Sequence, residues 1–247
     1  MLTIMRRAGK IIRSTIIAWY LAGLGVLPAF ETVVIDAGHG GNDEGAQWFH
    51  VPEKTITLAV AKYLECVLQA HGIHTVMTRT YDHYVSLDER AEKGNSISNS
   101  LLVSIHFNAN RDTSVEGFQS FYQGDSSQFV ARSIQEAMTE KLPSPSIGIK
   151  KQDFAVITRT NQLAVLLECG FLSNKEESTR LQDSDYQLQL AEAIALGILC
   201  IKPLINTDPV KDLVALRAEH ERKKIEIAAA EAARKLSSIK KKPGKRR

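Results

Sequence analysis

The sequence alternates short apolar runs with amphipathic stretches between residues 31 and 205. The apolar runs are rich in Val, Ile and Leu, as buried strands are, and they cover 32–36, 74–78, 101–107, 117–122 and 163–168. Apolar residues at helical spacing predict helices over 54–70, 87–98, 128–142 and 183–201. This alternation predicts a single α/β domain with a mainly parallel or mixed sheet.

The two ends of the chain differ from this central part in charge. Residues 1–30 carry a net charge of +4 and residues 208–247 carry +7, so the overall +3 leaves −8 for the part between them. In residues 1–30, four cations and no acids precede an apolar stretch, which is the layout of a signal peptide or a signal anchor. We therefore predict an exported protein of the periplasm or cell envelope, either cleaved or anchored at its N-terminus. The alternative is a buried N-terminal helix of a cytosolic domain.

Residues 206–247 form a basic tail that is rich in Ala, Glu, Lys and Arg. This composition predicts a solvated, partly helical segment that becomes disordered towards its end. The tail is either an ordinary solvated segment or a contact for an anionic surface, such as lipid or a charged wall polymer. No aromatic residue lies within 208–247 to stack on bases, so nucleic-acid binding is not expected.

Two of the apolar runs lead to a histidine at their carboxyl ends, where ligands collect in α/β sheets. His39 follows the first run in a glycine-rich turn, and His106 lies at the end of the run 101–107. Glu53 precedes the predicted helix 54–70, where the helix dipole favours an ionised carboxylate. Two imidazoles and one carboxylate are a common set of ligands for catalytic zinc. These three residues therefore predict a Zn²⁺ site.

Glu168 is the last residue of the apolar run LAVLLE, and packing alone does not explain a carboxylate there. Burial would raise its pKa towards the range in which a general base works, which predicts a catalytic role. The alternative is a buried acid that is paired with one of three arginines, Arg79, Arg90 or Arg159.

Two further residues are weaker candidates for the same site. Asp36 lies three residues before His39 and is predicted to fix the tautomer of that imidazole. Asn108 lies two residues after His106, and its amide is predicted to orient the substrate.

The order of these segments resembles that of the zinc-dependent N-acetylmuramoyl-L-alanine amidases of bacterial cell walls, of the amidase-3 type. The matching segments are VVIDAGHGGNDEGA (33–46), PEKTITLAVAKYL (52–64), MTRTYDHYVSLDERAEKGN (77–95), LLVSIHFNAN (101–110) and LLECGFLSNKEE (166–177). The resemblance implies a twisted sheet flanked by helices, Zn²⁺ bound by His39, Glu53 and His106, and a catalytic role for Glu168. It also implies hydrolysis of the amide between the lactyl group of N-acetylmuramic acid and L-alanine of the stem peptide. The partner would then be peptidoglycan, during wall remodelling or division, and no activator protein is indicated.

Three other functions fit parts of the sequence. A zinc peptidase of carboxypeptidase type, which cuts within the stem peptide, would use the same metal and base. A module that binds peptidoglycan without hydrolysing it would share the fold but not the turnover. A protein that binds membranes or nucleic acids through its basic ends would lose its function when residues 208–247 are removed.

Overall fold

The computed structural model describes residues 30–201. Residues 1–29 of the predicted signal segment and all of the predicted basic tail (206–247) lie outside the described residues, and those two assignments stay predictions. No helix within residues 30–201 is both long enough and apolar enough to cross a membrane.

The core of the fold is a six-stranded sheet, and a separate two-stranded hairpin lies beside it. In chain order the strands are β1 (Thr32–Ala37), β2 (Gln47–Trp48), β3 (Val51–Pro52), β4 (His74–Met77), β5 (Ser100–Asn108), β6 (Phe118–Tyr122), β7 (Ser146–Lys151) and β8 (Leu163–Phe171). The large sheet has the order β4-β1-β5-β8-β6-β7, and β2 pairs with β3 in the hairpin. Strands β4, β1, β5 and β8 are parallel, whereas β6 is antiparallel to β8. The mostly parallel mixed sheet is therefore confirmed.

Helices cover both faces of the large sheet. They are α1 (Glu53–Ala70), α2 (Leu87–Asn95), α3 (Asp125–Lys141), α4 (Ala155–Thr158), α5 (Lys175–Leu181) and α6 (Ser184–Ile201). One face packs against α1, α3 and α6 in a large apolar core, and the other packs against α2 and α4 over a smaller one. The side chains of β1 alternate between the two cores: Val33 and Ile35 enter the large core, and Val34 enters the small one.

The described elements differ from the predicted ones at several places. The hairpin β2–β3, the edge strand β7 and the short helices α4 and α5 were not predicted. Helix α2 ends at Asn95 rather than at residue 98, and its Ser86 forms a capping box with Glu89. Helix α3 begins at Asp125, three residues earlier than predicted.

The topology brings the carboxyl ends of three neighbouring parallel strands to one edge of the sheet. Strands β1, β5 and β8 lie side by side in the same direction. Ala37 of β1 is level with Ile105 of β5, and His106 of β5 is level with Glu168 of β8. This edge is where ligands bind in open α/β sheets, and it carries the residues singled out above.

Candidate metal centre

His39, Glu53 and His106 converge at this edge, with one ligand atom from each within 4.8 Å of the others. The Glu53 carboxylate lies between the two imidazoles. Its Oε2 is 3.1 Å from Nε2 of His39, and its Oε1 is 3.0 Å from Nδ1 of His106. The two rings meet edge to face with their centroids 4.8 Å apart. The structure therefore brings together all three residues that were predicted to hold a metal ion.

Glu53 is fixed in its ionised form by four hydrogen-bonding partners. Besides the two imidazoles, the backbone amides of Ala46 and Phe107 donate to its carboxylate, each at 2.9 Å. Burial by itself would raise the pKa of Glu53, but the hydrogen bonds from His106 and His39 outweigh it and hold that pKa far below its usual range. The side chain comes from the first residue of α1, where the helix dipole also favours a negative charge.

His39 is presented by a turn with left-handed backbone, because φ is +60° at His39 and positive at Gly40 and Gly41. The second ring nitrogen, Nδ1, lies 2.9 Å from Oδ2 of Asp43. Burial lowers the pKa of His39, yet its hydrogen bonds and charge attraction to Glu53 and Asp43 outweigh that effect and raise it. Asp43 therefore has the orienting role that the sequence analysis gave to Asp36.

Asp36 is turned away from His39, which corrects the prediction made for it. Its carboxylate accepts hydrogen bonds from three other side chains, Thr78, Ser104 and Arg90, at 2.6–2.7 Å. The reason is strand alternation, which directs Asp36 to the same face as Val34, towards α2. The Arg90 guanidinium and these hydrogen bonds overcome the effect of burial and hold the pKa of Asp36 below its ordinary value.

Two buried arginines fix the backbone that leads to His39. Arg79 donates to the carbonyls of Ala37 and Gly38 at 2.9 and 2.8 Å. Arg90 donates to the carbonyls of Ala37 and His39, both at 2.7 Å. The sequence alone does not indicate this role for either residue, since only the folded loop brings those carbonyls within their reach.

Glu168 lies beside the metal centre on the neighbouring strand. It is level with His106 in the parallel pair β5–β8, and residues that are level in such a pair point to the same side of the sheet. Its Oε2 is buried and has no hydrogen-bond partner within residues 30–201. Burial raises the pKa of Glu168 to about 7; the nearby His106 opposes the rise and the Glu53 carboxylate adds to it.

None of the three arginines proposed as partners pairs with Glu168. Arg79 and Arg90 bind the loop of His39, and Arg159 forms a surface ion pair with Asp88 at 2.6 Å. Within the described part of the chain, the alternative of a buried acid–arginine pair is therefore ruled out.

Asn108 is the last residue of β5 and lies two residues beyond His106. Its Oδ1 accepts a hydrogen bond from the backbone amide of Ala109 at 2.8 Å, which fixes the direction of the amide group. Contact between this amide and a substrate stays a prediction.

Two glycines, Gly38 and Gly45, make room for the imidazoles and for the Glu53 carboxylate because they have no side chain. A Cβ atom on Gly38 would lie 2.4 Å from the His106 ring. A Cβ atom on Gly45 would lie 2.5 Å from Oε2 of Glu53 and 2.6 Å from the His39 ring. Any side chain at either position would displace a proposed ligand, so these glycines shape the centre.

The comparisons with known proteins agree with this geometry. The model of the N-acetylmuramoyl-L-alanine amidase family matches residues 33–200. YqiI of Bacillus subtilis strain 168 is 39% identical over 171 residues, which are 68% of this chain and 83% of YqiI. The N-acetylmuramoyl-L-alanine amidase LytC of the same strain is 34% identical over 171 residues, 68% of this chain but only 34% of LytC.

Among solved structures, the N-acetylmuramoyl-L-alanine amidase from Clostridium difficile 630 superimposes with a TM-score of 0.66. It is 37% identical in sequence, and the match covers 70% of this chain and 96% of that one. The fold, the family model and the relatives agree, and the chain belongs to the N-acetylmuramoyl-L-alanine amidase family of enzymes.

Proposed function

We propose that this chain is a zinc-dependent N-acetylmuramoyl-L-alanine amidase in which His39, Glu53 and His106 hold Zn²⁺ and Glu168 is the general base. The observation that carries this proposal is the pairing of two unlike groups at one edge of the sheet. One is a convergent set of two imidazoles and a carboxylate, and the other is a buried carboxylate oxygen without a partner in the described residues.

The three proposed ligands suit zinc by their chemistry and by the space around them. Two imidazoles and one carboxylate form a known set of ligands for catalytic zinc, which leaves a position open for substrate. The glycines at 38 and 45 keep that space free of other side chains. When bound, Zn²⁺ supplies a Lewis acid that polarises a carbonyl group and makes water more acidic.

Glu168 is the group that moves the proton. With a pKa of about 7 it is deprotonated in a large fraction of molecules at neutral pH and can accept a proton from the attacking water. The same carboxyl group can then pass that proton to the nitrogen of the leaving L-alanine. The burial of Oε2 keeps competing water away from the proton while it is transferred.

The substrate is the amide between the lactyl group of N-acetylmuramic acid and L-alanine, in the peptidoglycan of the cell wall. This follows from the family to which the chain belongs. Action on the wall also supports export to the periplasm or cell envelope, which the charge layout of residues 1–30 predicts.

Digestion of purified peptidoglycan, with mass analysis of the fragments, tests the proposal. We expect free N-terminal L-alanine on the released peptides, and we expect a chelator to abolish its formation. Released D-alanine would instead identify a carboxypeptidase, and the absence of any product with added zinc would identify a binding module. Glu168→Ala should keep zinc and lose turnover, whereas His39→Ala should lose both. Full activity of Glu168→Ala would refute the mechanism.

A further inference from the structure

The turn of the β2–β3 hairpin has a strained backbone. Trp48 pairs with Val51, so Phe49 and His50 are the two residues of the turn. Both have left-handed backbone, with φ of +51° and +65°. Two-residue turns of this kind are normally built from Asn-Gly, because a bulky side chain is unfavourable at positive φ.

Packing does not explain why Phe49 and His50 stand at this turn. The Phe49 side chain is 45% exposed, and His50 is exposed as well. The Phe49 ring has one aromatic neighbour, Trp48, at a centroid distance of 6.2 Å. An Asn-Gly turn would close the same hairpin without strain and without exposing an aromatic ring. Strain that packing does not require points to a functional role.

The base of this hairpin is joined to the metal centre. The amide of Ala46 donates to Oε2 of Glu53, and the amide of Glu53 donates to the carbonyl of Ala46, both at 2.9 Å. Phe49 is three positions along the chain from Ala46, so at ~3.3 Å per residue it lies within about 10 Å of Ala46. The turn is therefore close enough to the metal centre to contact a part of the substrate near the bond that is cut.

We propose that Phe49 and His50 form a subsite for the glycan strand of the substrate, in which the C–H face of the N-acetylated sugar ring that adjoins the muramic acid unit packs on Phe49. The inference rests on the proposed function, since only a wall polymer presents such rings beside the scissile amide. A flat exposed ring offers a large apolar surface. The imidazole of His50 can exchange hydrogen bonds with sugar hydroxyl or acetamido groups. The rigid turn holds both side chains in place before binding, which lowers the entropy lost on association.

The test replaces the turn by the residues that its backbone favours, in the double variant Phe49→Asn/His50→Gly. Release of the strain should raise the Tm by about 3 °C, the shift given by ~1 kcal/mol in a domain of this size. Loss of the aromatic contact should weaken the binding of chitotetraose about tenfold. Trp48 is next to the turn, so its fluorescence can report this binding. The zinc content should match that of the unaltered protein.

The same variant should discriminate between substrates. We expect the KM for polymeric peptidoglycan to rise about tenfold, and to rise more than the KM for muramyl dipeptide, which has a single sugar. Phe49→Tyr should retain most of the affinity, because it keeps the aromatic face. Ile147→Ala is the matched control, since Ile147 is 44% exposed on the edge strand β7, and it should change neither binding nor turnover.

A more stable double variant that binds chitotetraose as tightly as the unaltered protein would overturn the inference. So would an equal loss on both substrates, or weakened binding of the free stem peptide alone, because either result would place the contact elsewhere. Chitotetraose binding needs no hydrolysis. The two proposals can therefore fail separately. If the unaltered protein released no peptides with N-terminal L-alanine, the proposed amidase activity would be wrong. Weaker chitotetraose binding by the double variant would still support the subsite.

Discussion

The start of α1 and the second half of β8 each bring one glutamate to the centre, and the two glutamates have opposite surroundings. At the start of α1, Glu53 accepts hydrogen bonds from two backbone amides and faces two imidazoles. In β8, Glu168 has a buried oxygen without a partner in the described residues. The pKa of Glu53 is held far below its usual range, whereas that of Glu168 is raised to about 7.

This difference shows how one residue type can take two roles within one site. A carboxylate that stays ionised at every working pH suits a metal ligand, because protons do not compete for it. A carboxyl group that titrates near neutrality suits proton transfer. The different roles of Glu53 and Glu168 thus follow from their hydrogen bonding and burial. Each of the following substitutions tests either the proposed metal ligands or the proposed base.

The largest effects are expected when each glutamate is replaced by glutamine. Glu168→Gln removes the proton acceptor and should lower kcat by about 10²- to 10⁴-fold while zinc stays bound. Glu53→Gln removes a charged ligand and should lose both zinc and activity. Turnover of peptidoglycan, measured together with zinc content, distinguishes the two. Equal zinc loss in both variants would mean that Glu168 is also a ligand.

The same substitution at Glu168 should stabilise the metal-free protein at high pH. Because the folded-state pKa is raised from 4.5 to about 7, the stability that Glu168 contributes is fully present below about pH 4.5. That contribution is lost as the pH rises through 7. Above pH 8, Glu168→Gln should therefore be more stable than the unaltered protein by on the order of 3 kcal/mol.

Denaturant unfolding at pH 5 and at pH 8.5, in the presence of a chelator, measures this effect. The gain should be much smaller at pH 5, where the unaltered Glu168 is protonated in the folded protein. A gain of the same size at both pH values would mean that the carboxyl group is not destabilised by burial.

The sequence predicted the elements that carry the ligands, and the reason is local. The apolar runs that became β1, β5 and β8 are buried on both faces, so their composition identifies them without knowledge of their partners. Helix α1 was predicted to within one residue, because its apolar positions repeat at helical spacing up to the glycine at 72. Glu53 begins α1 and His39 follows β1, as these assignments predict. His106 and Glu168 instead lie two and three residues before the ends of β5 and β8, so the prediction that Glu168 is the last residue of its strand was wrong.

The parts that were missed depend on contacts between distant residues. The hairpin β2–β3 was not predicted because its turn contains Phe49 and His50 instead of the expected Asn-Gly. Asp43 was not predicted as the partner of His39. A left-handed turn brings the two side chains together, and its glycines are the only sign of that turn in the sequence. Its position in the turn NDEG, four residues after His39, is the signal that could have suggested it.

A smaller effect is expected from Gly38→Ala, which disturbs a proposed metal ligand but not Glu168. The added methyl group would lie 2.4 Å from the His106 ring and must displace it. We expect zinc affinity to fall by about 10- to 100-fold, as it does when the orientation of a ligand is disturbed. Competition with a chelating dye measures the affinity.

Gly72→Ala provides the control for this substitution. Gly72 has positive φ, +70°, which Gly38 does not, but nothing lies within 4 Å of its would-be Cβ. It should cost about 1 kcal/mol of stability and leave the zinc affinity unchanged. If both variants lost zinc equally, general destabilisation rather than contact with His106 would explain the loss.

The smallest effect is expected from Asp43→Asn, which removes one charge from the partner of His39. Asparagine can still accept the hydrogen bond, and the Asp43 side chain is 44% exposed, so solvent already screens much of its charge. We expect zinc affinity to fall by about tenfold or less. The matched control is Asp88→Asn, which removes the same charge from a surface pair with Arg159 and should leave the affinity unchanged. An Asp43→Asn protein that binds zinc as tightly as the control would mean that the charge of Asp43 adds nothing to the affinity, and that its hydrogen bond to His39 suffices to orient the ring.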